Sequence, residues 1–268
     1  MLWDYNSTTN LNIENNKQIP ATDKFIMLLS KLNLPYDEFI FHLDDEYLNS
    51  KLLIEKKLAE YVKRKNTVGL RELAKKSRYL FKKFEDIYFQ HSNLISLAMI
   101  EVIENNHNFE NARNYLKPIS DYLTTIETLC YYEISLISQC IFMFKVELAI
   151  SFGERALETI NRQQEFYSNK PVTCVLLTNL AVYCLDYKDY LPQSLAYSQA
   201  STNFASLNND TTRAIYAEIV SQVAHFKRQD GLFNKEHLFQ LINTFKIINW
   251  QNEYKALLEF IENHGIFD

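Results

Sequence analysis

The chain is predicted to be all-α: a tetratricopeptide-like solenoid of helical hairpins, with the right-handed superhelix that such repeats form and a C-terminal capping helix. Three observations predict it. Apolar residues recur at spacings of three and four from Thr22 to Asn263, the period of one helix face. Among 268 residues there are only 4 Gly and 5 Pro, too few for the tight turns of an all-β fold. Helix starts recur at intervals of about 40 residues, the period of two-helix repeats.

Residues 1 to 18 are polar and Asn-rich with no helical period, and read as a flexible lead-in. A first helix follows Thr22 and carries Phe25, Ile26, Leu28, Leu29 and Leu32, with Asn33 ending it. Pro35 opens a second helix, and a longer one covers Asp45 to Lys65. Asn66-Thr67-Val68-Gly69 is a turn and cap before a helix through Leu70, Leu73, Ala74, Ser77, Leu80, Phe81 and Phe84. Leading helices then begin near Asp86, Ile126, Val172 and Thr212, and trailing helices near Phe109, Val146, Leu191 and Asn234. Asn66, Asn108, Asn209 and Asp230 mark breaks. Trp250 to Asn263 reads as the capping helix, stopped by Gly265.

The two central hairpins are the clearest. The first leading helix is assigned Ile126, Leu129, Cys130, Leu136, Ile137, Cys140, Ile141 and Phe144. Its partner holds Val146, Ala149, Ile150, Gly153, Ala156, Leu157 and Ile160, whose small members admit a close neighbour. After Asn169-Lys170-Pro171, the helix through Val172 to Tyr187 is apolar nearly all round, so it must be buried between neighbours. The partner contains Leu191, Leu195, Ala196, Ala200, Phe204 and Leu207.

Composition restricts the chemistry. The net charge of −5 does not advertise nucleic-acid binding. Cys130, Cys140, Cys174 and Cys184 fall in predicted helices without a metal or redox spacing, and read as buried reduced thiols suited to the cytoplasm. No apolar run would span a bilayer, and the first residues lack a signal peptide's basic start and apolar core. Histidines 42, 91, 107, 225, 237 and 264 are scattered; His264, near a helix C-terminus, is placed to favour the dipole. No catalytic constellation, metal site or cofactor motif emerges, so the chain reads as non-enzymatic and cofactor-free.

Three features carry competing readings. From Lys51 to Lys83 there are twelve cations against three acids, an excess of nine: either a phosphate-contacting surface or a solvated face of two helices. Glu133 sits on an apolar stripe and needs a partner if buried, with Arg155 of the next helix as the candidate. Gln139, Asn179 and Gln222 are amides on leading helices, which line the concave face of such solenoids. There an amide can grip a peptide backbone, offering both donor and acceptor, or it can join two helices.

Two segments resemble the Rgg/GadR/MutR transcriptional regulators, relatives of the peptide-pheromone sensors of Gram-positive bacteria. Residues 23 to 39 (DKFIMLLSKLNLPYDEF) are similar to the end of that family's N-terminal helix-turn-helix domain, with its Leu-Asn pair and a Glu-Phe pair opening the linker. Tyr132-Glu133-Ile134-Ser135-Leu136-Ile137-Ser138-Gln139 resembles its Tyr-Glu-Leu-x-Leu-Phe-(Gly/Ser)-Asn motif, with Gln139 where the family has Asn. The resemblance implies residues 1–21 as lead-in, 22–43 as a remnant of the helix-turn-helix domain and linker, and 44–268 as a helical-repeat regulatory domain. It further implies a homodimer that senses a short signalling peptide or partner protein on the concave face, through Gln139, Asn179 and Gln222. A complete reader of DNA needs about three more helices before Phe25, so DNA binding is expected only if a partner supplies one. The alternative function is a protein–protein scaffold without a small ligand; segment 177–183, with Tyr190 and 194–197, resembles a tetratricopeptide repeat.

Overall fold

The computed structural model describes residues 12, 13, 15, 17–43, 45–105, 109–168 and 170–267. Residues 1–11 of the expected lead-in, and His107, Asn108 and Asn169, lie outside the described residues. Every regular element among the described residues is helical, as the apolar period predicts. Internal contacts divide the chain into two compact units, one up to Asn93 and one from Leu94.

The first unit contains α1 (Thr22–Lys31), α2 (Tyr36–His42), α3 (Glu46–Lys63) and α4 (Thr67–Phe84). Asn33 ends α1 with a φ of 51°, a left-handed conformation that Asn tolerates. No residue of α1 is buried, and Ile26 and Leu32 of its apolar stripe are 61% and 65% exposed. The Asp45 carboxylate caps α3 by accepting from the Leu48 N–H at 2.9 Å, and Asn66 caps α4 through the Gly69 N–H at 3.0 Å. Gly69 has a packing reason as well: a Cβ there would lie 2.9 Å from the Tyr61 ring. Ile54 and Leu58 of α3 meet the buried face of α4, formed by Leu70, Leu73, Ala74 and Leu80.

The division falls within α5 (Ile87–Glu104), and the second unit continues with α6 (Phe109–Thr125), α7 (Tyr131–Cys140) and α8 (Val146–Arg162). After these come α9 (Gln164–Tyr167), α10 (Pro171–Cys184), α11 (Leu191–Leu207), α12 (Thr211–Arg228), α13 (Lys235–Ile247) and α14 (Gln251–Asn263). Helix α10 packs against α7, α8, α11 and α12, which explains its apolar residues on all sides. Gly153 lets α8 approach: a Cβ there would sit 2.6 Å from a Leu180 methyl carbon. Gly265, with φ 82°, ends α14, and the N–H of buried Ile266 returns to the Ile261 carbonyl at 3.0 Å, closing a Schellman turn.

Three local expectations are corrected. The first central leading helix starts at Tyr131 and ends at Cys140; residues 126–130 form a connector, and a 3-10 turn, Ile141–Met143, replaces the last helical turn. Leu129 is nevertheless only 1% exposed, so its apolar character reports burial rather than helix. Cys130, read as a buried helical thiol, is exposed at the N-cap of α7, whereas Cys140, Cys174 and Cys184 are buried. Burial pushes the Cys184 thiol up to about 12. His264 is not tuned toward its charged form: burial, then the nearby Lys227, lowers its pKa.

Candidate functional site

Glu133 is the first polar group that the second unit must satisfy. It is 7% exposed, and its carboxylate accepts from the Tyr122 hydroxyl at 2.6 Å and the Cys130 N–H at 2.8 Å. A buried carboxylate with two donors is a structural clasp that starts α7 and ties it to α6. Burial and then this bond raise the Tyr122 pKa. Arg155 is not its partner: the guanidinium donates to the carbonyls of Leu123, at 2.8 Å, and Ile126, at the C-terminal end of α6.

The three amides occupy different environments. On α10, Asn179 is half-buried and donates through Nδ2 to the Ser138 carbonyl of α7 at 3.0 Å. Its Oδ1 accepts no hydrogen bond from any described residue. Val175, Asn179 and Val182 stand at i, i+4 and i+7, with Val175 37% exposed, so they share the solvent-facing strip of α10. Gln139 adjoins Ser138, is exposed, and donates to the Ser135 hydroxyl at 3.2 Å. Gln222 is 7% exposed and engaged at both ends: Nε2 donates to Glu218 at 3.0 Å and Oε1 accepts from the Asn234 N–H at 2.9 Å, fixing the start of α13. Asn179 and Gln139 are thus brought together through Ser138, while Gln222 is built into the packing of α12 against α13.

A half-open pocket of about 490 Å³ lies elsewhere, between α8, α9, α10 and α11, and none of the three amides lines it. Leu157, Ile160, Leu177 and Phe204 give it apolar walls, and Asn161, Gln164 and Asn208 add polar groups to its lining. Thr173 and Leu177 contribute from α10, on a different side of that helix from Val175 and Val182. Sequence reasoning missed it because its walls come from four helices whose splay no local pattern records. No group of three or more His, Cys, Asp or Glu side chains that could hold a metal occurs among the described residues, and no described helix is long and apolar enough to cross a membrane.

Comparison of the whole chain with known proteins gives consistent results. A family model described as the C-terminal domain of the HTH-type transcriptional regulator Rgg matches residues 70–259. A candidate transcriptional regulator from Listeria monocytogenes EGD-e is similar in structure, with a TM-score of 0.75 and 16% identity over 96% of this chain and 88% of that one. The Streptococcus dysgalactiae SHP pheromone receptor Rgg2 gives a TM-score of 0.69 and 18% identity over 94% of this chain and 88% of the other. The PrgX/cCF10 complex gives 0.64 and 13%, over 97% and 84%. No curated protein shows a significant sequence match. At these identities the structural likeness speaks for the fold, and the family is carried by the match over residues 70–259. The chain therefore belongs to the Rgg family of transcriptional regulators, and is a regulator rather than an enzyme.

Proposed function

We propose that this chain is a regulator that senses a short signalling peptide on the solvent-facing strip of its leading helices, as a homodimer in the cytoplasm. Gln139 and Asn179 take the peptide backbone, while Gln222 holds the far end of the surface by anchoring α13. The observation that carries the reading is Asn179: one amide N–H is committed to Ser138, its Oδ1 is spare, and valines flank it on the same strip. An amide of this kind serves a backbone N–H independently of the peptide's side chains. Its Rgg2 neighbour being a pheromone receptor supports the same ligand class.

A second reading, a protein–protein scaffold without a small ligand, is favoured by the same Asn179–Ser138 bond, which joins two helices. One experiment separates them. Peptides retained by the protein from host culture medium are identified by mass spectrometry, synthesised, and titrated calorimetrically into wild type, Gln139→Ala and Asn179→Ala. Sensing predicts a several-fold loss of affinity in each variant, on the order of 1 kcal/mol. Unchanged affinity with a lowered melting temperature for Asn179→Ala rejects the peptide assignment and leaves the scaffold.

A further inference from the structure

The basic run of the first unit is left unexplained by peptide sensing, and the structure sorts it into two groups. Some of its cations are tied down: Lys51 to Asp86 at 2.6 Å, Arg64 to Glu60 at 3.0 Å, and Lys83 to Glu46 at 2.5 Å. The second group lies on α4. Arg71, Lys75, Arg78 and Lys82 follow one another at intervals of four, three and four residues, and all four are exposed, with Arg71 also donating to the Thr67 hydroxyl at 3.4 Å. That spacing keeps them within a narrow stripe, with neighbouring Cβ atoms about 5–6 Å apart. Lys76 flanks the stripe, and Lys75, Lys76, Arg78 and Lys82 form no ion pair among the described residues. The one acid of α4, Glu72, borders the stripe, about 100° round the helix from Arg71 and about 60° from Lys75.

We propose that this stripe is a docking track for the phosphate backbone of duplex nucleic acid, without base readout and distinct from a helix-turn-helix reader. Charge complementarity selects the partner. A rigid line of closely spaced cations on one helix matches a continuous polyanion, and neutralising its phosphates releases condensed counterions. A lipid surface fits less well. The apolar face of α4, through Leu70, Leu73 and Leu80, is buried against its own unit and has nothing to insert among acyl chains. Exposed Tyr79, 59% accessible beside the stripe, adds a hydroxyl donor for a phosphate oxygen. The net charge of the chain conceals the track because acids elsewhere outweigh it.

The test is fluorescence anisotropy of the full chain with a labelled, scrambled-sequence DNA duplex, over roughly 50 to 200 mM salt. Wild type should bind weakly, with log affinity falling linearly against log salt. In Lys75→Glu/Arg78→Glu/Lys82→Glu the slope should fall by about three, one for each lost phosphate contact. The conservative variant Lys75→Arg/Arg78→Lys/Lys82→Arg should retain it. Reversing two exposed cations of the same run off the stripe, Lys56→Glu/Lys65→Glu, should leave the slope intact. Circular dichroism confirms folding, which substitution at exposed positions preserves. Three results each overturn the proposal: no duplex binding by folded wild type, an equal loss from the Lys56/Lys65 variant, or tighter binding to phosphatidylglycerol vesicles than to duplex at matched salt.

Discussion

Helices α10 and α4 are both cut from a three-and-four apolar period, yet they meet opposite surroundings. Outside the strip of Val175, Asn179 and Val182, most of α10 is buried, and most of its polar side chains are engaged. The Asn179 amide reaches Ser138, the Thr178 hydroxyl lies 2.9 Å from that of Ser201, and the Tyr183 hydroxyl donates to the Phe144 carbonyl at 2.6 Å. Ser194 of α11 donates back to the Ala181 carbonyl at 2.7 Å. In α4 the charged side chains point outward, and one face alone is buried. A helix enclosed by four neighbours is specified by fit, whereas a helix packed on one face is specified by its caps and its period. Substitutions should therefore be costly at the buried positions of α10, which are most of it, and cheap over most of α4.

The largest effect is expected at the closest approach in the second unit. Leu180 is fully buried, and Leu180→Ala should cost about 2–5 kcal/mol in chemical denaturation. Gly153→Ala should destabilise wild type, because the new Cβ would overlap Leu180. In the Leu180→Ala background the same change should be neutral or stabilising, since the overlap is gone and Ala gains about 1 kcal/mol over Gly in a helix. Additive effects in this double-mutant cycle would show that the α8–α10 approach is not set by that contact.

Next comes the Glu133 clasp. Glu133→Ala takes this acceptor from two part-buried donors and should cost about 1–3 kcal/mol. A pH signature accompanies it. Burial is the first cause raising the pKa of Tyr88 and Tyr197 to about 12, and it raises Tyr122 and Tyr183 in the same direction. Their contribution to stability is fully present below the unfolded tyrosine value near 10 and is lost as pH rises through the folded values. Stability should thus fall above about pH 10, less steeply in Tyr122→Phe. A flat alkaline profile by thermal melting would contradict the burial of these phenols.

These predictions also locate what the sequence can and cannot reveal. Pro171, Asn66, Asn33 and Gly265 announce helix ends because each acts locally, through a fixed φ, a capping side chain or a left-handed φ. Apolar spacing places α10 among neighbours because burial on every side leaves a mark on every face. The connector 126–130 reads as helix because Ile126 and Leu129 continue the stripe, while what breaks it is a local cap, Glu133 taking the Cys130 N–H three residues back, and a tertiary bond, Arg155 taking the Ile126 carbonyl. Tyr122 as the partner of Glu133 is invisible because it lies eleven residues away on another helix. Of the amides, sequence places Asn179 beside Gln139, but nothing local distinguishes them from Gln222, whose burial depends on where the Asn234 N–H arrives.

Smaller effects belong to α4. Asn66→Ala should cost about 1 kcal/mol, because the Gly69 N–H loses its acceptor at the first turn. The outward stripe should respond in the opposite sense. Arg71 with Lys75, and Arg78 with Lys82, are like charges four residues apart, and each such pair is unfavourable by a few tenths of a kcal/mol. Lys75→Glu turns two repulsions, with Arg71 four residues away and Arg78 three away, into attractions, against one new repulsion with Glu72 three residues before it. At low ionic strength its melting temperature should therefore rise slightly. The gain should fade as salt shortens the Debye length to about 3 Å near 1 M. A stripe that lowers stability is kept by some property other than folding, so the same variant should be more stable and bind duplex less tightly. If Lys75→Glu instead lowers the melting temperature at low salt, the outer face of α4 contributes to its fold, and the division between an enclosed α10 and a one-faced α4 is wrong.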